Sequence, residues 1–498
     1  MKSIHQTWLI LLVVCFSFNL QAQDNKKNKE KDGIESLFEE LDRLFTRSSL
    51  TDAEASELEN KFVEGMKFFI TDEYEKAIDI FLECYQKMPQ NSAISYQIAL
   101  TYYKQNDFDN ALDYAQKAIK LHKENPYYYA LLADVYESLE QYEYVSEILT
   151  KLVKRLDVGE MYYFDLAISY LYQNKYLEAI EVYNQAEQKF GLNEIVVSHK
   201  QKIYISLNDL DGALKEGEKL IQQFPLSVEY RVAQAELLLN NKRGEEAKKI
   251  LDDALHIQSD YPQTYLVLAD YYEATGEKDL QIKSLELAFE SPALDSESKL
   301  NVLLTYMSDQ ENKNLAEKGL KLAEIAVKTH PNDSKLFGIY GNFQLILEKP
   351  RLARAAYQKA VSLDPNNYRL WEGIVQIDSD LNEADSLIKN TDRAIEYFPN
   401  QAVFWFYNGR AHFSNKNYTE SVQSLEQCRL LSQENTEMQF LVYAHLGDAY
   451  NGMKEYHLSD KAYENALEIR PNDSHILNNY SYYLSVRKEK LPLAKEMS

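Results

Sequence analysis

The sequence is short of the residues from which most active sites are assembled. Three cysteines are spread over 498 residues, too few for a disulfide framework and without a CxxC pair to hold zinc. Glycine occurs only 15 times, never in the clustered spacing of a phosphate-binding loop. There is no HExxH pair and no nucleophile elbow. Basic residues are in deficit: 54 Lys and Arg stand against 78 Asp and Glu, a formal net charge of −24. Holding a phosphate backbone needs a positive surface, so no nucleic acid is expected as a partner. The longest apolar run, Trp8 to Leu20, is thirteen residues, too short for an ordinary spanning helix.

What the chain has instead is period. In SAISYQIALTYYKQNDFDNALDYAQKAIKL, residues 92–121, apolar and small residues at Ile94, Ile98, Ala99, Tyr102 and Tyr103 fall three and four apart, one face of a helix. The polar run Lys104 to Asp107 interrupts it, and a second face follows through Phe108, Ala111, Leu112, Ala115, Ala118 and Ile119. The unit recurs: Ala77, Ala111, Val145, Ala179, Ala213 and Ala247 lie on a 34-residue grid. Seven residues further on, Cys84, Ala118, Leu152, Ala186, Leu220, Ala254 and Ala288 keep the same step. Tyr74, Phe108, Tyr142 and Tyr176 mark the start of each second helix, and Pro331, Pro365 and Pro399 fall just past later ones, where a chain cannot continue helically.

This pattern resembles the tetratricopeptide repeat family, whose period and helical-hairpin motif it matches over roughly residues 57–498. The resemblance implies an all-α fold, a right-handed superhelical solenoid of about 12 to 13 stacked hairpins. Two short helices cannot bury their own apolar face, so each copy leans on its neighbours. Pairs are expected near 57–87, 92–121, 127–155, 160–189, 194–223, 227–257, 262–290, 294–328, 333–363, 367–397, 401–431 and 437–469, with a last one from 474. Residues 57–290 read as one array, 291–330 as an irregular repeat, and 331–498 as a second array with an incomplete last copy. That exposed end suggests a chain continuing beyond Ser498. The segment 432–439 reads as a long connection.

Residues 1–22 stand outside the array and read as a secretory signal, with Ala22 presented for cleavage and Gln23 as the new terminus. Lipid attachment at Cys15 and an uncleaved anchor are the alternatives. Residues 23–33 are charged and free of large apolar side chains, a disordered tether. Residues 34–48 return to a helical stripe, Ile34, Leu37, Phe38, Leu41, Leu44 and Phe45, so that 34–56 reads as a cap over the first repeat, or a docking helix; Thr51 followed three on by Glu54 reads as a capping box opening a helix that runs to Phe68.

No catalytic residue, metal ligand or cofactor is expected. His412, His445, His457 and His475 are the best metal candidates, but their spacing does not converge and they read as scattered histidines. Cys84 and Cys428 sit on the small-residue track of the second helix, hence buried thiols. The resemblance implies a protein or peptide partner on the concave face. Residues one step after the large and small sites of the first helix should line it, so Tyr96, Leu100, Tyr103, Phe164, Ile168, Tyr172, Phe406 and Arg410 are the candidate contacts. The reading is a noncatalytic periplasmic scaffold for an envelope, secretion or outer-membrane assembly protein, peripheral to the membrane and without a span once the signal is removed. The alternative is a chaperone-like holder of exported peptides or unfolded substrates. The first hints at long exported repeat proteins of Bacteroidetes-like bacteria, with glutamine after alanine at the cleavage site.

Overall fold

A computed structural model describes residues 51–308 and 312–498. The signal and its cleavage pair Ala22–Gln23, the tether, and the stripe 34–48 lie outside the described residues. Among those described, all regular structure is helical: 26 helices in 13 consecutive pairs, a solenoid of stacked hairpins with no strand. The pairs lie where the periodicity puts them. The first helix, Asp52–Ile70, opens at the capping box that the Thr51–Glu54 spacing predicts: the two side chains bond reciprocally and satisfy orphan donors at the helix start.

Twelve of the thirteen hairpins are closed by the same device among the described residues. The residue at the corner takes a left-handed conformation at Asp72, Asn106, Glu140, Asn174, Asn208, Lys242 and Gly276, then at Glu348, Asn382, Lys416, Lys454 and Lys488. The following amide reaches back five residues, as in Asp107 N–H to the Tyr102 carbonyl at 3.0 Å and Lys175 to Tyr170 at 2.9 Å. This is the Schellman closure, which pairs carbonyls the helix end leaves open. The first seven corners keep a 34-residue step, and the steps from Gly276 to Glu348 and from Lys416 to Lys454 each carry four extra residues. Four residues are about one helical turn, so the added length leaves the buried face pointing the same way. One insertion is visible as Thr436–Gly452, 17 residues against 13 in Ala402–Ser414. The connection expected over 432–439 is therefore only 432–435; its second half is helix.

The irregular stretch has a short first helix, Ser296–Tyr306, of 11 residues and a long second, Lys313–Thr329, of 17. The last copy closes with a seven-residue helix, Leu491–Met497, longer than the single turn expected.

The described helices divide into two compact units, one ending at Tyr230 and one beginning at Arg231. In the first, Ala77, Phe81, Cys84, Ile94, Ala99, Ala111, Ala115 and Ala118 are all fully buried in a core shared by successive hairpins. In the second, small residues meet rings within a pair: a methyl group placed on Gly447 would lie 2.7 Å from Tyr463 Cε1. That approach leaves no room for a side chain at Gly447. Cys84 and Cys428 are free and wholly buried; burial pushes their thiols up to about 11 and about 12.

Candidate interaction face

The expected face consists of positions on the first helix of each pair, and the structure treats its members differently. On Ser92–Lys104, Tyr96 and Leu100 are 7% and 6% exposed. The Tyr96 ring packs on that of Tyr128, with centroids 5.0 Å apart, so these two belong to the packing between hairpins. Tyr103 is half-buried against Phe108. On Glu160–Tyr172, Phe164 and Ile168 are half-buried and Tyr172 is 54% exposed, its ring stacked on Tyr142 at 4.4 Å. The row continues on Glu194–Ser206 through Ile195 and Ile205, 37% and 43% exposed. Phe164, Ile168, Tyr172, Ile195 and Ile205 thus place apolar and aromatic side chains on the first helices of consecutive pairs. The two isoleucines were not among the candidates read from the sequence, although the 34-residue step already places Ile195 opposite Ala93.

Behind Phe164, the sequence hides chemistry that periodicity alone did not expose. The ring lies 6.0 Å from Tyr183 and 6.3 Å from His199, and Tyr183 Oη is 2.9 Å from His199 Nδ1. Burial, then the charge of Lys202, pulls His199 down to about 4. Next to it Lys200, with no exposed side-chain surface, lies 2.6 Å from Glu187, 2.7 Å from Glu216 and 2.9 Å from Asn184. Lys219 completes the cluster at 3.1 Å from Glu187 and 2.9 Å from Glu216. Lys200 stands where other copies have Ile98, Leu132, Leu166 and Leu268, and that break in an apolar track was the available signal.

In the second unit Phe406 is 6% exposed and lies 5.5 Å from His445. The Arg410 guanidinium sits over the Phe406 and Tyr407 rings at 5.7 Å each, a cation–π arrangement. Burial, then the Arg410 charge, brings His445 down to about 4. Burial raises the Asp448 carboxyl, against a 2.6 Å hydrogen bond donated by Tyr463 Oη. Arg410 is half-buried, so it can meet a ligand carboxylate only at the edge of its ring stack. The four histidines named above do not form a site: no group of three or more His, Cys, Asp or Glu among the described residues is placed to hold a metal ion.

Two family models, both described as tetratricopeptide repeat, match the chain, one over residues 70–135 and the other over 335–367 and 441–473. Over those residues the chain carries tetratricopeptide repeats. Among curated proteins it is similar to the human Protein O-mannosyl-transferases TMTC1, 23% identical over 39% of this chain, and TMTC3, 29% identical over 34%. It spans only 23% and 20% of their lengths. TPR repeat-containing protein MJ1428 of Methanocaldococcus jannaschii is 21% identical, over 82% of this chain and 70% of that protein. Among solved structures, the C-terminal part of a TPR repeat-containing protein from Cytophaga hutchinsonii is 15% identical, over 50% of this chain and 98% of that one, with a TM-score of 0.33. At that score it carries no weight for function. No described helix is long and apolar enough to cross a membrane.

Proposed function

We propose that this chain is a noncatalytic scaffold of the periplasm that holds one envelope protein, of a secretion or outer-membrane assembly machine, along the first-helix face of its repeats. The observation that carries the reading is the open row Phe164, Ile168, Tyr172, Ile195 and Ile205. Its members are held on rigid helices, and aromatic and branched side chains displayed in this way are suited to an extended or helical segment of a partner. The signal-like residues 1–22 with Ala22 and Gln23 support export, and that alanine–glutamine junction supports an origin among Bacteroidetes-like bacteria. The strong acidity favours a partner segment with basic side chains beside its apolar ones.

The test is cross-linking of the mature chain in envelope extract, comparing the native sequence with Tyr172→Asp and Ile205→Asp. Both side chains are exposed, so the fold should survive. One stoichiometric partner, lost in both variants, is the expected result. Weak capture of many unrelated unfolded chains would replace the scaffold with the holder of exported substrates, and capture that both variants retain would move the site elsewhere.

A further inference from the structure

The second helices of the first unit carry a surface that the row on the first helices does not use. A groove of about 380 Å³ lies between Tyr142–Arg155 and Tyr176–Phe190, and Leu166 and Tyr170 of Glu160–Tyr172 help to line it. These two stand two residues from Phe164, Ile168 and Tyr172, about 200° around the helix, so groove and row face opposite ways. The groove exists because a ring is missing. Tyr102, Tyr136, Tyr170 and Tyr204 share one place on the 34-residue grid. The Tyr102 ring is stacked with Tyr114, centroids 6.0 Å apart, and the Tyr136 ring with Tyr144, at 5.0 Å. Tyr204 meets the backbone at Gly212, where a methyl group would lie 2.6 Å from its Cδ1. Beside Tyr170 the corresponding positions hold Glu178 and Val182, and the space stays open. A cation is missing as well. One period earlier Lys151 pairs with Glu147 at 2.6 Å, and two periods earlier Lys117 pairs with Asp113. Here Gln185 replaces the lysine beside Glu181 and offers it only a hydrogen bond, at 3.3 Å.

We propose that this groove seats an arginine of a partner protein, its guanidinium laid on the Tyr170 ring as Tyr144 is laid on Tyr136, and paired with Glu178 and Glu181. Charge complementarity selects this occupant. Glu178 and Glu181 are three residues apart on one wall, hence neighbours on the helix surface, and both are exposed. Lys154 is the one basic side chain in the lining, which therefore carries one negative charge in excess, the amount a single guanidinium cancels. Arginine supplies both things the groove lacks, since it stacks on a ring through its plane and pairs with carboxylates through its charge. Lysine lacks the plane, and phenylalanine lacks the charge. Leu177 provides for the apolar stem of the incoming side chain. It is 69% exposed and stands where Asp109, Glu143, Asp211 and Glu245 occupy the first turn of other second helices, a position at which acidic residues are favoured by the helix dipole.

Fluorescence anisotropy titrations of the mature chain test this with three short labelled peptides, alike except for a single arginine, lysine or phenylalanine among alanines. No envelope partner is used, so the outcome is separate from that of the scaffold reading. The arginine peptide should bind about fivefold more tightly than the lysine peptide, which carries the same charge and so reports attraction to the acidic chain as a whole. Two variants put back what the preceding hairpin has, at exposed places where the fold already accepts those residues. Glu178→Tyr returns the ring and should weaken the arginine peptide about tenfold. Gln185→Lys returns the internal cation and should weaken it about threefold. Bound arginine peptide should also protect Leu177 from hydroxyl-radical oxidation. Equal binding of the arginine and lysine peptides overturns the proposal, as does an arginine peptide that does not bind or that both variants bind as well as the native chain. Tighter binding of the phenylalanine peptide overturns it too, and would give the groove to an aromatic side chain.

Discussion

At the scale of single residues, the informative positions are polar side chains on apolar tracks. Lys200 holds two carboxylates inside the first unit, with Lys219 as the outer member. Desolvating such a cluster costs nearly what its attractions return, but removing one partner leaves charge uncompensated. Lys200→Met should therefore cost about 3–5 kcal/mol, read as a lower urea midpoint. Lys200→Met combined with Glu216→Leu and Glu187→Gln should recover most of that loss. Asn408, by contrast, is neutral and complete. Its amide donates to Thr391 Oγ1 and Asp392 Oδ1, at 2.8 Å each, and accepts from Ser424 Oγ at 2.7 Å. His445 supplies a pH test. Its folded-state pKa is lowered to about 4, so between pH 6.5 and 4 the unfolded chain binds the proton and the folded chain does not. Stability from this group is complete above pH 6.5 and is lost as pH falls toward 4. Asp270, raised to about 6 by burial and then by Glu273 and Glu236, works in the opposite sense between pH 3.8 and 6. His445→Asn should flatten the loss of melting temperature between pH 7 and pH 5, and an unchanged slope would show that the imidazole is protonated in the fold.

At the scale of the element, the hairpin was legible and its corner was not. Small residues such as Ala111, Ala118 and Gly447 must face a neighbouring helix or ring, and that steric requirement writes a strict period into the sequence. The left-handed corner imposes a weaker demand. Asp72, Glu140, Asn174 and Lys242 all occupy it, because the closing hydrogen bonds come from the backbone whatever the side chain. The same distinction explains the misread connection. Thr436–Gly452 gains a turn at its start, and the polar residues Thr436, Glu437 and Gln439 look like loop until Asn435 is seen accepting from the Met438 amide at 3.0 Å. The face was only partly legible as well: spacing located Tyr96 and Phe406 correctly on the first helix, but burial depends on what lies over a residue, which period cannot report. The corner offers a prediction. Lysine in the left-handed region is strained by its Cβ, a cost glycine avoids. Lys242→Gly and Lys454→Gly should each raise stability by about 0.5–1 kcal/mol, the usual gain from repairing a helix cap, whereas Asn174→Gly should change little. Equal effects at all three corners would mean that Cβ strain does not set the energy there.

At the scale of the whole molecule, the dominant property is charge. A formal net charge of −24 acts at a distance that individual contacts do not, and its range is set by salt: about 8 Å at physiological ionic strength and about 3 Å at 1 M. Acidity of this size has two possible uses, keeping copies of the chain apart and drawing a basic partner in. They separate in kinetics. Steering acts on encounter, so with a basic partner segment on the row from Phe164 to Ile205, the association rate should fall about tenfold or more between 0.05 and 0.5 M salt. The dissociation rate, set by the apolar side chains in the row, should scarcely move. Tyr172→Asn and Ile205→Asn, which remove apolar surface without changing charge, should do the reverse, speeding dissociation while leaving the salt slope of association intact. Stopped-flow or surface-immobilised measurements on the mature chain resolve both rates. An association rate indifferent to salt would assign the acidity to solubility alone, and the row would then have to select its partner by shape and apolar contact without help from the field around it.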